Sequence, residues 1–265
     1  MKKSVVVAML ILFCALLYGT VAGAGPILNG ILKKGELVVG ITGDQPPLNA
    51  TTKDGKVIGL DADLAEAIAL NMGVKIRFAK MPFSELLPAL QAGKVDMIIS
   101  GMTMTPERNV KVAFIGPYLV SGKGVLTKSS SVALLDKEGV NSNQLNLAAL
   151  KGSTSQVVVE QAAPKAKLVP AVSYDEALNL LFADKVNAII ADYPYCAYVA
   201  TRYADKDLAV GQAKLTYEPL GIAVREDILL INMLENFIKL MSASGDMKIM
   251  QDKWFKNAAW MKQLP

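Results

Sequence analysis

Short apolar runs that alternate with helix-period segments narrow the fold of this chain more than any other feature. Leu37 to Ile41, Val74 to Ala79, Val95 to Ile99, Leu145 to Leu150, Val186 to Ala191 and Leu220 to Val224 each have the length and apolarity of a buried strand. Between the first two, apolar residues at 60, 64, 67 and 68 make a helical stripe. Asp61 and Asp63 stand in its first turn and Gly73 at its stop. Helices are also predicted over Ser84 to Ala92, Ser153 to Ala162, Tyr174 to Ala183, from about Pro194 to Tyr203, Ile228 to Ser242 and Asp246 to Phe255, with a short strand at Leu168-Val169. This alternation predicts an α/β fold. Asp44 to Gly55, rich in Pro, Asn, Thr and Gly, reads as a loop. Two extended pieces, Ser121 to Thr127 and Leu208 to Gly211, bracket the second alternating run. The bracket is consistent with one domain inserted into another through two crossovers. A single continuous α/β domain fits the same order of elements.

The first 24 residues read as an export signal. Met1-Lys2-Lys3 is a basic start, Val5 to Leu17 an apolar core and Ala22-Gly23-Ala24 a small-residue cleavage pattern. Cys14 lies inside the apolar core after the bulky Phe13, which does not suit a lipid-anchor box. No second apolar stretch approaches the roughly 18 residues of a span, so an exported, soluble protein is expected. Loss of Lys2 and Lys3 takes the formal charge from +4 to about +2. No Lys/Arg cluster marks a nucleic-acid surface. There is no His, and only Cys196 remains after cleavage. His-based triads, a structural zinc site and an intrachain disulfide are thereby excluded, and no metal or cofactor is expected.

Ser100-Gly-Met-Thr-Met-Thr-Pro-Glu-Arg108 follows the strand-like run Val95 to Ile99. Thr105 can cap a helix, Pro106 suits its first position and Glu107 its first turn. Free backbone N–H groups, the Thr103 hydroxyl and the Arg108 guanidinium can converge there on one carboxylate. Arg108 as a solvated residue beside a helix cap is the plainer alternative.

Taken together, several motifs resemble the periplasmic solute-binding proteins of polar amino acid ABC importers (the bacterial extracellular solute-binding family 3). They are Gly35-Glu-Leu-Val-Val-Gly40, Gly59-Leu-Asp-Ala-Asp-Leu64, Phe83 to Asp96, Ser100 to Arg108, Phe114-Ile-Gly-Pro-Tyr118, Lys151-Gly-Ser-Thr-Ser155, Asn187 to Asp192, Glu218-Pro-Leu-Gly-Ile-Ala223 and Asp252-Lys-Trp-Phe255. The resemblance covers almost all of 35–258. It implies two α/β lobes joined by two hinge strands, with a ligand cleft between them. Lobe 1 would be 25–122 plus 213–265, and lobe 2 would be 123–212.

The resemblance also implies roles. Arg108 would bind the α-carboxylate of an amino acid, with Thr103 and the backbone of Ser100 and Gly101 completing the cradle. Ser153 and Thr154, at a helix start, would add a backbone N–H from the other lobe. Asp192, at the end of a buried strand, would accept the α-ammonium; a plain helix N-cap before Pro194 is its alternative role. Phe83 would pack on the ligand or merely in the core, and Tyr118 and Tyr193 would lie near the hinge. Thr42 and Gln45 stand where relatives often carry an Asp and a stacking aromatic, and Leu48 replaces a further aromatic. A basic ligand side chain is therefore disfavoured unless Asp44 substitutes. The partners implied are a small amino acid or carboxylate and a membrane permease, with the protein a monomer in the periplasm. An enzyme resembling cyclohexadienyl dehydratases, and a receptor ligand core, are the alternatives on this scaffold.

Overall fold

A computed structural model describes residues 25–211 and 216–265. The export signal with Cys14, and the second lobe boundary expected at 212/213, lie outside the described residues.

Strand β1 (Glu36–Ile41) runs parallel to β5 (Lys75–Lys80) on one side and to β6 (Met97–Ile98) on the other. Helix α2 (Leu60–Met72) links β1 to β5, and α3 (Phe83–Gln91) links β5 to β6. A long strand β13 (Glu218–Val224) then joins antiparallel to β6, and β7 (Ala113–Ser121) closes the sheet in the order β5-β1-β6-β13-β7. Successive side chains of a strand face opposite ways, and the burial follows. Leu37 and Val39 join Leu60, Leu64 and Ile68 of α2 and Leu230, Leu234 and Trp254 of the C-terminal helices in one core. Val38, Ile98 and Ala223 join Leu86 and Leu90 of α3 in another. The C-terminal pair is Ile228–Ser244 and Asp246–Phe255.

The second sheet repeats the plan in the order β10-β9-β11-β8-β12. Its strands are β8 (Lys123–Lys128), β9 (Asn146–Leu150), β10 (Lys167–Ala171), β11 (Ala188–Asp192) and β12 (Leu208–Val210). Helices Thr154–Ala162, Tyr174–Phe182 and Tyr193–Arg202 cover its faces. Cys196 is fully buried there, as a small apolar side chain. The fold is thus α/β and two-lobed. The strands of the second sheet, β8 to β12, fall in sequence between β7 and β13 of the first, with Gly122 separating β7 from β8.

Three expectations change. Asp44 to Gly55 is not wholly loop: β2 (Asp44–Gln45) and β3 (Asn49–Thr51) form a small antiparallel sheet with β4 (Val57–Ile58). Strands of two or three residues are too short to show a period. Helix α1 (Pro26–Lys34) was not foreseen. It buries only Ile31 and is pinned by Asp227 Oδ2, which accepts from the N–H groups of Ile27 (2.7 Å) and Leu28 (3.2 Å). Helix Ser129–Glu138 buries no residue and so left no apolar stripe to read. Among the described residues no helix is long and apolar enough to cross a membrane, and no group of His, Cys, Asp and Glu is placed to hold a metal.

Candidate functional site

The segment after β6 is laid along β13. Met104 N–H donates to Pro219 O, and Gly221 N–H donates to Met102 O. Thr105 caps the short helix Pro106–Asn109 by accepting from Arg108 N–H at 3.3 Å. This cap fixes where the Arg108 side chain leaves the backbone. The guanidinium is buried, with Nη1 donating to Thr103 O (2.8 Å) and Nη2 to Gly152 O of the second lobe (3.1 Å). It stands 5.5 Å from the centroid of the Phe83 ring, within cation–π range. Among the described residues no carboxylate lies within ion-pair distance of it. Burial pulls its pKa down, opposed by the charges of Glu218 and Asp192. A buried guanidinium fork that donates only to neutral carbonyls has the chemistry to receive an anion.

From the second lobe, Asp192 ends β11 and is 3 % exposed. It occupies the N-cap position of helix Tyr193–Arg202 but makes no side-chain cap bond. Both of its oxygens are taken by other side chains instead. Oδ1 accepts from Lys123 Nζ at 2.7 Å, and Oδ2 from Gln45 Nε2 at 2.7 Å.

Two residues that the sequence reading did not single out complete the knot. Lys123 opens β8 at one crossover, and Glu218 opens β13 at the other. Both are buried, with Lys123 Nζ 3.4 Å from Glu218 Oε2. The same Oε2 accepts from the hydroxyls of Thr103 (2.7 Å) and Thr154 (2.8 Å), and Oε1 accepts from Thr216 (2.6 Å). Burial pushes the Glu218 carboxyl up. Lys123 and the three hydroxyls more than offset this and hold it below its ordinary value. A Lys next to Gly122 and Gly124, and a Glu heading a buried strand, were the only local signals available.

The remaining expected residues divide. Thr103 and Thr154 meet across the lobes, with hydroxyls 3.3 Å apart. Gln45 reaches across to Asp192. Gly101 sits in the left-handed region (φ 57°), and a Cβ there would stand 2.6 Å from Gln45 Oε1. Phe83 lies under Arg108. The side chains of three others are committed to the scaffold. Ser100 Oγ accepts from Thr42 N–H (3.0 Å), and Thr42 Oγ1 donates to Asn49 Oδ1 (2.9 Å). Ser153 is a helix N-cap whose hydroxyl accepts from Gln156 N–H and donates to Leu150 O. Tyr118 is structural too: its buried hydroxyl donates to Asp61 Oδ1 at 2.8 Å.

Beside the knot lies a cavity of about 560 Å³ between the lobes. Asp44, Phe83, Ser173 and Tyr195 are among its lining, whereas Arg108, Asp192, Thr103 and Thr154 are not. The clamp groups are therefore drawn together, and the open space is to one side of them.

Comparison with known proteins places this geometry. The family model described as bacterial extracellular solute-binding proteins, family 3, matches residues 37–257. The chain is 32 % identical over 234 residues to the L-arginine-binding protein of Pseudomonas aeruginosa, covering 82 % of this chain and 86 % of that one. It is 28 % identical to a glutamine-binding protein of an ABC transporter in Bacillus subtilis, covering 97 % of this chain and 98 % of that one. Among solved structures, the ancestral amino acid-binding protein AncCDT-1, a precursor of cyclohexadienyl dehydratase, superposes with a TM-score of 0.80 at 36 % identity. That match covers 86 % of this chain and 99 % of that one. A putative binding component of an ABC transporter from Wolinella succinogenes, complexed with lysine, gives 0.80 at 31 % identity over 86 % and 99 %.

Proposed function

Since this chain belongs to the bacterial extracellular solute-binding proteins, family 3, we propose that it is the periplasmic substrate-binding component of an amino-acid ABC importer. Its ligand is an amino acid or a similar small carboxylate, held between lobe 1 (25–122 and 213–265) and lobe 2 (123–212). The observation that carries the reading is the buried Arg108 guanidinium with no anionic partner, bridging Thr103 O of one lobe and Gly152 O of the other. A ligand carboxylate supplies the missing charge, with the Thr103 and Thr154 hydroxyls beside it. The ligand ammonium goes to the Asp192–Glu218 pair. Those two carboxylates and the single Lys123 cation leave one negative charge uncompensated. The whole site then balances a zwitterion.

Capture proceeds by hinge closure of the two lobes, since the polar contacts above join groups that only closed lobes bring together. Relatives named as arginine-, glutamine- and cystine-binding support the amino-acid class. Binding rather than turnover is the reading: the Glu218 carboxyl is held below its ordinary value, which makes it a poor general acid.

Mass spectrometry of small molecules released from purified protein, followed by a thermal-shift screen of amino acids, tests the proposal. A ligand at a hundred times its Kd stabilises by about 2.7 kcal/mol. Failure of every amino acid and small carboxylate to shift unfolding would reject it, as would turnover of prephenate in an absorbance assay.

A further inference from the structure

Helix Tyr193–Arg202 is tied at both ends. At its start stands Asp192, whose carboxylate belongs to the knot. Its other end, about 15 Å along the axis, is held by a part of the first lobe that the clamp does not use. Residues 259–265 reach it. Trp260 stacks on Tyr198 of the helix, with ring centroids 5.5 Å and planes 23° apart. Arg202 Nη2 donates to Pro265 O at 3.0 Å. Tyr198 thus packs against the first-lobe core as well as the core that holds Cys196 and Val199 of its own helix.

The segment is rooted in the first lobe. Trp260 and Leu264 are buried members of that lobe's core. Trp260 Nε1 donates to Trp254 O at 3.2 Å, and Lys53 N–H, between β3 and β4, donates to Gln263 O at 3.0 Å. Leu264 and Pro265 also line the 560 Å³ interlobe cavity, as do Tyr198, Val199 and Tyr203 around the far end of the helix. The segment is therefore part of the wall of the space beside the clamp.

Its two sets of contacts have different consequences. Those to Trp254 and Lys53 lie within one lobe and survive a hinge motion. Those to Tyr198 and Arg202 cross between the lobes, and opening parts them. A contact made in the closed form and absent from the open one shifts the population toward closure, whatever the ligand's own contacts contribute. Its effect falls mainly on release, because capture starts from the open form.

We infer that residues 259–265 form a strap that fastens helix Tyr193–Arg202 to the first lobe and slows release of the bound ligand, with Tyr198 and Arg202 as positioning residues outside the ligand clamp. The inference rests on the proposed closure of the lobes around an amino acid.

Stopped-flow fluorescence tests it with a built-in reporter. The chain has two tryptophans, Trp254 and Trp260, and both lie at the strap. The probes are L-arginine, L-lysine, L-glutamine and L-cystine, with calorimetry giving Kd for each. Tyr198→Leu keeps apolar bulk but loses the stacking ring. Arg202→Gln removes the charged donor at an exposed position. For a probe that binds wild type, release should be about fivefold faster in Tyr198→Leu and about tenfold faster in the double variant. Association should stay within about twofold of wild type, so Kd rises by the same factor as the release rate. Tyr198→Phe, which keeps the ring, should release at the wild-type rate. Wild-type release and Kd in the double variant would overturn the inference, as would Tyr198→Phe behaving like Tyr198→Leu. If the Tyr198 variants do not fold, Arg202→Gln decides alone: about twofold faster release supports the strap and an unchanged rate overturns it. Where probes bind in an Arg108-dependent way and the strap variants match wild type, the proposed function stands and this inference alone falls. Where none of the four binds, both fall.

Discussion

Replacing Lys123 by Met tests the buried knot that joins the two crossovers. The ammonium is 2.7 Å from Asp192 Oδ1 and 3.4 Å from Glu218 Oε2, and its side chain is 2 % exposed. At an effective dielectric of about 20, these separations correspond to attractions of roughly 6 and 5 kcal/mol. Desolvation of all three groups offsets most of that, so the intact knot is no large net source of stability. Its rupture is different: removing one partner leaves two carboxylates buried and uncompensated, which costs about 3–5 kcal/mol. Against a total stability of about 5–15 kcal/mol, that is a large share.

The assay is urea unfolding of Lys123→Met and of the triple variant Lys123→Met/Asp192→Asn/Glu218→Gln. The single variant should lose about 3–5 kcal/mol and the triple variant much less, because it buries no charge. The pH dependence has a definite sign. In the wild-type protein Glu218 is held below its ordinary value, so its contribution is present at neutral pH and lost as pH falls through the folded value. In Lys123→Met the Glu218 carboxyl loses the cation that holds its pKa down, so the deficit should shrink on acidification. A single-variant loss under about 1 kcal/mol, or a triple variant no better than the single one, would refute this account of the knot.

Two further predictions follow from the lobe 1 wall. Asp61 is fully buried, and desolvation pushes its carboxyl up to about 7, opposed by bonds from Asn49 Nδ2 and Tyr118 Oη. A folded value above the unfolded one stabilises most below about pH 4 and loses that advantage as pH rises toward 7, by up to about 1.4 kcal/mol per unit. The unfolding free energy of wild type minus that of Asp61→Asn should therefore decline between pH 4 and 7; a flat difference would contradict the burial argument. Gly101→Ala places a Cβ in the left-handed region and against Gln45 Oε1 and Leu48. It should cost about 1–3 kcal/mol in stability and weaken ligand binding, measured by urea unfolding and calorimetry; wild-type values for both would show that the cradle is loose.

Much of this was legible because it is local. Strands β1 and β5, helix α2 with its Gly73 stop, and the Thr105 cap with Pro106 behind it all carry their reasons within a few residues. Arg108 and Asp192 could be named because each sits at the end of a recognisable element. Lys123 and Glu218 could not, because their meaning depends on partners far away in sequence: 69 residues separate Lys123 from Asp192. A Lys in a Gly-flanked extended piece looks solvated until the second sheet closes over it. Ser153 and Ser100 illustrate the converse. Their hydroxyls lie in the expected segments but are spent on capping a helix and holding the end of β1.

The central claim is that Arg108 waits for a carboxylate in a cleft shared by both lobes. Titration calorimetry of the best ligand from the screen against wild type and Arg108→Ala addresses it most directly, with urea unfolding to confirm that the variant is folded. Affinity should fall by about a hundredfold or more, roughly 3 kcal/mol, because the ligand carboxylate would be buried without its cation. A folded Arg108→Ala protein that binds as tightly as wild type would contradict the account.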